Sequence, residues 1–480
     1  MEELGQEMLK HCAGLPLAII ALSGLLSTKQ TMDEWELLLK DVKPYINRGA
    51  GYDGQQFEGD HVIMVKQLCR VWIAEGFVSL DQQTQSSTVT AEDLAYNYLR
   101  ELVDRNMVQV GIIGSSGRIK TCRLHDLMRD LSFSKAQEAN FVQFVDFRIR
   151  DRLSTNVGLR NKVRRLALYT DHRFTDLLPL INQGEGSLLR SLIFVNTSNS
   201  EASKEALKPM FNRFRLLRVL KLESAPFGAS GKLPKEIGML IHLRFLCLRN
   251  LHVEKIPSSI GNLRCLETLD LRVTLDDNEV PNVFWRLEQW RHLYLPSAYH
   301  VSGEHLRLTN LSNLQTLFDV PIKYLDVNDL LRLTNLKKLV LTVDEDLGRI
   351  YGTNMTFNGL RSPSLCGGFG QATVVDIVPT ISRYPQLSKL QMSIPITKLP
   401  KHHQFSTNLV KFWLIDTRLK DDPLRTLEKL PNLRNLFLWH LKEWRIEEGA
   451  LLSLRHGCVK LRELPDGLRF ITSLKEFEIR

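Results

Sequence analysis

The sequence has no pair of cysteines spaced as Cys-x-x-Cys and no apolar run long enough to cross a membrane. Its seven cysteines are spread from Cys12 to Cys458, and an odd number without paired spacing argues against a disulfide framework or a structural zinc site. The most apolar stretch, residues 12–26, is interrupted by Pro16, is preceded by acidic residues and is too short to span a bilayer. We therefore expect no integral membrane segment and a cytoplasmic location, with peripheral attachment to the plasma membrane as the alternative.

The glycine-rich loop that cradles nucleotide phosphates, G-x-x-x-x-G-K-[ST], is also absent from these 480 residues. The Gly-Lys pair at Gly231-Lys232 is followed by Leu233, and Pro226 stands where the opening glycine belongs. The sequence shows no nucleophile with an adjacent base of the kind that hydrolases use. We expect no catalysis, no bound cofactor and no metal site.

Charge is divided unevenly along the chain. Residues 1–150 hold 16 basic and 20 acidic residues, a net charge of −4, whereas residues 151–480 carry a net charge of +13. Such asymmetry indicates either an acidic partner, such as nucleic acid or a membrane, or docking of the acidic part on the basic part of the same chain. Because the basic residues are spread along the sequence without forming runs, we favour intramolecular docking and expect no nucleic acid partner.

An internal repeat dominates the chain from residue 161 onward. The pattern L-x-x-L-x-L recurs mostly every 22 to 28 residues, as in Leu217-Leu220-Leu222, Leu243-Leu246-Leu248 and Leu433-Leu436-Leu438. The last two leucines of each copy alternate along a short strand and therefore point to one face. One strand cannot bury that face alone, so stacked copies are expected to form a curved parallel sheet with a concave outer side.

Two places break the repeat. The step from Leu336 to Leu387 leaves room for two copies, and the glycine-rich stretch 366–370 in this gap is interpreted as an insertion loop. Near the end, Leu454-Arg455-His456 begins a copy that Gly457-Cys458 interrupts, which predicts a shortened repeat.

The N-terminal third has helical periodicity with clear start and stop signals. Thr31–Glu34 and Thr90–Asp93 each have the sequence of a capping box, and Gly76 ends the helical pattern that includes Trp72. Two extended runs, 107–113 and 118–124, flank Gly114–Gly117 and predict a hairpin. A final helix is expected to include Leu124, Met128 and Leu131. Helix, helix, hairpin is the order of a winged helix.

Three motifs in this region resemble those of plant NB-ARC leucine-rich-repeat resistance proteins of the coiled-coil NLR class. Gly14-Leu15-Pro16-Leu17 is similar to the GLPL motif of the nucleotide switch. Trp72-Ile73-Ala74-Glu75-Gly76-Phe77 is similar to the winged-helix signature WIAEGF, and Leu124-His125-Asp126 resembles the MHD motif with Leu in place of Met. Together with the repeats, the resemblance covers most of the chain. Relative to the family, we expect an N-terminally truncated member.

The resemblance implies a fold and a domain order. The fold class is α+β: a helical and winged-helix N-terminal region followed by an α/β leucine-rich-repeat solenoid. We expect a remnant of the NB-ARC helical subdomain at 1–44, a loop at 45–60, the winged-helix domain at 61–135, a linker at 136–160 and the repeats at 161–480.

The resemblance also implies ancestral ADP contacts at Pro16, His125 and Asp126. In the family, the proline packs near the adenine and the histidine reaches toward the phosphates. The alternative is that the His-Asp pair is an ordinary solvated turn before a helix. Since the phosphate loop is absent, we expect nucleotide binding to have been lost.

The function expected from these features is recognition in plant innate immunity. A leucine-rich-repeat surface would bind a pathogen effector or a guarded host protein, whereas an ADP/ATP-dependent switch and a non-functional relic are the alternatives. Trp413 and Phe437 occupy the same place in consecutive repeats, and so do Ile415 and Trp439. We expect these residues to lie side by side on the outer face, roughly 5 Å apart, either as partner contacts or as rings that only shield the sheet.

Overall fold

In the computed structural model the chain forms two compact units, which are described separately. The first comprises residues 1–143 and 162–165, and the second comprises residues 144–161 and 166–480. The residues whose structure is described are 4–7, 23, 26, 31–37, 62–78, 89–114, 116–124, 126–146, 163–170, 188–196, 207–223, 232–274, 278–343, 357–367, 374, 376–381, 383–417, 419, 423–427, 429–439, 454–455, 458–459 and 476–479.

The described part of the first unit includes helices and a three-stranded sheet. The elements are β1 (Ile63–Met64), α1 (Val65–Glu75), α2 (Ala91–Asp104), β2 (Val108–Val110), β3 (Thr121–Leu124) and α3 (Asp126–Glu138). The strand order is β1-β3-β2, and both neighbouring pairs are antiparallel. Residues 4–7 and 32–37 are also helical.

Both predicted capping boxes form. The Asp93 amide donates to Thr90 Oγ1 at 3.2 Å, and the Thr90 amide donates to Asp93 Oδ2 at 3.4 Å, so two amides that the start of α2 leaves unsatisfied gain partners. The Glu34 amide donates to Thr31 Oγ1 at 3.4 Å in the same way. At the end of α1, Gly76 adopts φ 89°, a left-handed conformation that glycine takes without a steric penalty.

The predicted hairpin is confirmed as β2 and β3, which pair Val108 with Leu124 and Val110 with Cys122. It packs with α1 and α2 around a core of Val65, Cys69, Ile73, Val78, Ala91, Ala95, Leu99, Val108 and Cys122. One assignment was wrong. Leu124 ends β3 and does not belong to the helix that follows, because its backbone is used in the strand pairing, and α3 begins at Asp126.

The second unit is built on one sheet of fourteen strands. The strands of this sheet are β4 (Gln143–Asp146), β5 (Arg165–Thr170), β6 (Ser191–Asn196), β7 (Val219–Lys221), β8 (Phe245–Cys247), β9 (Thr268–Asp270), β11 (His292–Tyr294), β13 (Thr316–Pro321), β14 (Lys338–Val343), β15 (Ser362–Gly367), β16 (Lys389–Ser393), β17 (Lys411–Ile415), β18 (Asn435–Trp439) and β21 (Glu476–Ile479). They lie in chain order, and neighbours from β6 to β21 pair in parallel.

The repeat leucines form the core of this unit. Leu217, Leu220 and Leu222 have no exposed surface, and neither do Leu243, Leu246 and Leu248 one repeat later. Because the register pairs Leu220 with Leu246 and Leu246 with Leu269, each leucine packs beside its counterpart in the next repeat. The repeat pattern therefore predicts both the strands and the face that they bury.

The chain returns between strands through short turns and helices. They are 3-10 turns at Lys235–Met239, Ser258–Asn262, Phe284–Arg286, Ile322–Tyr324 and His402–Gln404, and helices α4 (Leu207–Arg213), α5 (Val327–Arg332), α6 (Val378–Ile381) and α7 (Leu424–Leu427). Strands β10 (Asn278–Val280) and β12 (Tyr299–Val301) pair in parallel as a separate sheet. At Gly238 a Cβ atom would lie 2.5 Å from the Ser259 carbonyl oxygen, so this close approach between turns requires glycine.

Asparagine side chains tie successive repeats together. Asn313, Asn335 and Asn432 each precede a buried anchor leucine, and each donates from Nδ2 to a backbone carbonyl 23 to 25 residues earlier in the chain. The acceptors are the carbonyls of Glu288, Ser312 and Thr407, at 3.1, 2.9 and 2.8 Å. These bonds satisfy backbone groups that the turns would otherwise leave without a partner.

Three expectations about the repeats and their linker need correction. Cys366 and Gly367 end strand β15, so the glycine-rich stretch does not begin as an insertion loop, and residues 368–370 lie outside the described residues. Leu454–Arg455 (β19) does not add a shortened repeat, because it pairs antiparallel with Cys458–Val459 (β20) as a separate hairpin. Helix α3 and strand β4 extend into residues 136–160, where we expected only a linker.

Candidate functional site: the outer face of the repeat sheet

The residues predicted to contact ADP are only partly described. Pro16 and His125 lie outside the described residues, as do residues 45–60, and Asp126 is the first residue of α3. The described structure therefore does not test whether these three residues form a nucleotide-binding site. Nucleotide binding stays a prediction from the sequence.

The WIAEGF segment has structural roles that its residue types explain. Ile73 and Ala74 are buried in the core of the first unit, and Glu75 Oε2 lies 2.9 Å from Arg165 Nη2, which clusters with the same unit. The Arg165 guanidinium also lies over the rings of Phe77 and Phe141, at 4.8 and 4.2 Å from their centres. A nearly buried ion pair of this kind is costly to break, since either partner alone would be left as a buried charge.

In the second unit, the residues between the inward leucines form the outer face of the sheet. Burial on this face changes along the repeats. In β8 and β9 the outward Phe245, Cys247 and Asp270 are at most 7% exposed, although they alternate with the inward leucines. In β16 and β17 every outward residue is half-buried while every inward residue is buried. The outer face is therefore more accessible in β16 and β17 than in β8 and β9.

The predicted aromatic cluster lies on this accessible part. The register pairs Trp413 with Phe437 and Ile415 with Trp439. The ring centres of Trp413 and Phe437, on neighbouring strands, are 5.1 Å apart, which matches the expected strand spacing. Those of Phe437 and Trp439, two residues apart on β18, are 5.8 Å apart. The Lys411 ammonium lies 3.9 Å from the centre of the Trp413 ring.

The side chains of this cluster are only partly accessible. Trp413, Ile415, Phe437 and Trp439 are all half-buried. The Phe437 ring packs against Trp413 of the neighbouring strand and against Trp439 of its own strand. The same rings can therefore shield the sheet and still contact a partner. The remaining accessible surface is a set of preordered aromatic edges.

A second aromatic group on the same face was not predicted. Tyr294 and Phe318 occupy in β11 and β13 the position that Trp413 occupies in β17, and their ring centres are 5.6 Å apart. The Arg272 guanidinium lies 4.7 Å from the Tyr294 ring centre, and Asp270 Oδ1 accepts from Arg272 Nε at 2.8 Å. An aromatic residue between inward leucines was the available sequence signal for both groups.

Strand β13 carries a bulge beside this group. Leu317 pairs with Leu339 and Val320 pairs with Leu341, so Phe318 and Asp319 together oppose a single residue of β14. Asp319 has φ 62°, which is rare for a residue with a side chain. Burial raises the pKa of the Asp319 carboxyl to about 6, although Arg272, the Thr342 hydroxyl and Lys338 act in the opposite direction.

Comparison with known proteins agrees with the sheet and its repeats. Residues 189–464, more than half of the chain, match a leucine-rich repeat region, and residues 57–132 match a disease resistance protein winged helix domain. The chain belongs to the leucine-rich-repeat proteins. It is 31% identical to "Disease resistance protein RPP8" and 31% identical to "Disease resistance protein RPH8A", both of Arabidopsis thaliana. Each alignment covers 100% of this chain and 58% of the relative, so the chain spans little more than half the length of these proteins.

Among solved structures, this chain is similar to the LRR ectodomain of the plant membrane receptor kinase GASSHO1/SCHENGEN3 from Arabidopsis thaliana. The identity is 18%, the TM-score is 0.43, and the match covers 66% of this chain and 37% of that chain. A score at this level supports no argument about function. The fold assignment depends on the strand order and on the sequence match.

Two classes of feature are absent from the described part of this chain. No helix there combines the length and apolar character that crossing a bilayer requires. Within the same residues, no three His, Cys, Asp or Glu side chains are grouped so that they could hold a metal ion.

Proposed function

We propose that this chain is the recognition part of a plant immune receptor, and that the outer face of its later repeats binds a pathogen effector or a guarded host protein. The observation that carries the proposal is the cluster of Trp413, Phe437, Trp439 and Ile415 on the accessible part of the sheet. Tryptophan and tyrosine dominate the energetics of protein interfaces, because they bury a large area with little loss of conformational freedom. The proposed site of action is the cytoplasm.

The geometry of the cluster suits a protein partner. Trp413 and Phe437 stand on neighbouring strands whose backbones the sheet fixes, so little entropy is lost when a partner orders their side chains. Their half-buried state leaves edges that a partner can cover. A partner that covers those edges completes a dry centre of the kind that hot spots need.

The test expresses the full chain in leaf tissue, fused to a proximity-labelling enzyme, before and during infection. Proteins labelled by the wild-type chain are then purified, and their binding is measured against the Trp413→Ala/Trp439→Ala double variant. We expect each replacement to weaken binding by about 2 kcal/mol, the usual effect of losing a hot-spot tryptophan.

Trp285→Ala is the matched control, because Trp285 is also half-buried but lies in a 3-10 turn away from the outer face. This control should bind like the wild-type chain. Equal binding by the double variant and the wild-type chain would refute the proposal. So would loss of folded structure in the double variant, measured by circular dichroism, since the rings would then be core.

A nucleotide-driven switch is the second candidate, and it is favoured only by the motifs around Pro16 and His125. We propose that the 480-residue chain binds ADP negligibly, since its sequence lacks the phosphate loop that supplies most charge-assisted bonds at such sites. Calorimetry with purified chain tests this proposal, and micromolar affinity would overturn it. Docking of the acidic N-terminal region on the basic repeats is a further proposal, supported by the net charges of −4 and +13.

A further inference from the structure

One position of the repeat forms a continuous row across the sheet. The residue after the first inward residue of each repeat, a leucine everywhere except Trp290, accepts hydrogen bonds at its backbone carbonyl from the next repeat. The Arg218 and Val219 amides, for example, donate to the Arg190 carbonyl at 2.6 and 3.0 Å. The same contact links the residues at 190, 218, 244, 267, 291, 315, 337, 361, 388, 410 and 434. These eleven residues therefore lie side by side, about 4.8 Å apart, along the amino ends of the strands.

Seven of these eleven residues are basic, although Lys and Arg make up only 63 of the 480 residues. The basic members, here called the basic stripe, are Arg190, Arg218, Arg244, Arg291, Lys337, Arg361 and Arg434. All seven are half-buried or exposed. The acidic member of the row is Glu267, and one of its carboxylate oxygens lies 3.9 Å from Arg244 Nη1.

We propose that the basic stripe binds an acidic segment of a partner protein. This inference rests on the proposed function and adds the chemistry of the partner. The basic residues are scattered along the sequence, but the parallel register places them in one row. Such a row attracts a carboxylate-rich segment and steers its approach.

Carboxylates of a protein fit the stripe because six of its seven members are arginines, whose planar guanidinium groups bind carboxylates with two parallel hydrogen bonds. Phosphate would satisfy the same groups, but binding of single-stranded nucleic acid also requires free aromatic faces on which bases stack. On this sheet, cations already lie over the rings of Trp413, Phe318 and Tyr294. The aromatic groups therefore favour a protein partner.

The stripe also borders the aromatic cluster. Val410 and Arg434 of the row immediately precede β17 and β18, the strands that carry Trp413 and Phe437. A partner seated on the aromatic edges would therefore lie beside Arg434, and farther along the row beside Arg361 and Lys337. The two surfaces are continuous and suit one partner.

The test measures binding of the purified full chain to a synthetic peptide of alternating glutamate and threonine. The stripe variant is Lys337→Gln/Arg361→Gln/Arg434→Gln, in which all three side chains are exposed in the wild-type chain. We expect the variant to bind the peptide about tenfold more weakly, and wild-type binding to weaken as salt is added, because exposed ion pairs are screened.

Two variants control for net charge and for folding. Lys235→Gln/Arg307→Gln/Lys398→Gln removes the same charge from exposed positions outside the row and should leave affinity within about twofold of the wild type. Arg361→Lys/Arg434→Lys keeps the charge but loses the paired hydrogen bonds, and should weaken binding less than the stripe variant does. Equal peptide binding by the stripe variant and the wild type would overturn the inference.

Two further probes test the other polyanions. An oligothymidylate with the same number of negative charges, or phosphatidylcholine vesicles containing phosphatidylserine, would overturn the inference by binding the stripe more tightly than the peptide does. Failure of the proposed function is read separately, from the Trp413→Ala/Trp439→Ala variant. If that variant loses the labelled partner while the stripe variant retains both partner and peptide, the stripe inference fails and the proposed function stands.

Discussion

The early repeats around β8 and β9 and the late repeats around β16 and β17 bury the same inward positions but treat the outer face differently. Phe245, Cys247 and Asp270 are buried on that face of the early repeats, whereas the corresponding positions of β16 and β17 are half-buried. The inward residues are buried in both regions. The inward residues of the repeat motif therefore form the core in both regions. The outward residues between them determine whether a region contributes only to stability or also offers a surface for contact.

Replacing a large outward side chain should separate the two regions most clearly. Phe245→Ala should lower the free energy of unfolding by about 3–5 kcal/mol, because Phe245 is 2% exposed and its removal leaves a cavity. Trp413→Ala should cost much less, since Trp413 is half-buried and its loss can be filled by solvent. Urea denaturation of both variants measures the difference. Equal losses would show that the late outer face is also core.

A smaller effect is expected for the ties between repeats. Asn335→Ala removes the bond from Asn335 Nδ2 to the Ser312 carbonyl, at 2.9 Å, and should cost about 1 kcal/mol. The early repeats have Leu216 and His242 at this position and therefore lack the asparagine bond. Their repeats are held together more by side-chain packing and by the backbone hydrogen bonds of the sheet. His242→Ala, measured by the same denaturation, is the matched control and should be nearly neutral. A loss as large as that of Asn335→Ala would contradict this division.

Strand β13 lies between the two regions, and its Asp319 predicts a dependence on pH. Because burial raises the pKa of this carboxyl from 3.8 to about 6, the folded state holds its proton more tightly than the unfolded state does. The resulting stabilisation is complete below about pH 4 and is lost as the pH rises through about 6. Asp319→Asn should therefore raise the melting temperature relative to wild type at pH 7.5, with the gain disappearing near pH 4. A pH-independent difference would exclude titration of Asp319 as its cause.

Thiol reactivity compares the two regions without changing the sequence. Burial raises the pKa of Cys247 in the early repeats to about 12 and that of Cys366 in the late repeats to about 11, and Cys366 is only half-buried. Since the thiolate is the reactive form, iodoacetamide at pH 8 should label Cys366 before Cys247, and exposed Cys265 before both. Mass spectrometry of the labelled peptides gives the order. Labelling of Cys247 ahead of Cys366 would show that the early face opens more readily.

The sequence predicted the features that depend on local chemistry or on strict periodicity. The capping box at Thr90, the glycine cap at Gly76 and the buried faces of β7 to β9 follow from residue types at fixed spacing. Strand β15 was missed because Pro363 replaces the second leucine, and a proline within a sheet weakens the strand pattern. The bulge in β13 has no signal in the periodicity, since Leu317 and Val320 are both apolar whichever register they adopt.

The candidate site also has some features that the sequence predicts and others that it does not. The adjacency of Trp413 and Phe437 followed from the repeat register, and their degree of burial did not, because it depends on how neighbouring rings cover one another. The sequence separates Arg190, Arg218 and Arg244 by more than twenty residues each, but the sheet places them side by side. Aligning the repeats by their anchor leucines places these arginines in one column, so the row has a signal in the sequence itself.

Strand β18 pairs directly with β21, although the β19–β20 hairpin and its flanking residues lie between them in the chain. Strand pairing in the sheet therefore tolerates connectors of different lengths. Only the spacing of the inward residues within each strand has to be preserved. Duplication or loss of one whole repeat in the gene would lengthen or shorten the outer face by one step of about 4.8 Å and leave every other residue in register. Insertions of any other size would collect in the connectors, so a lineage of such genes can change the reach of the surface in discrete steps without redesigning the core.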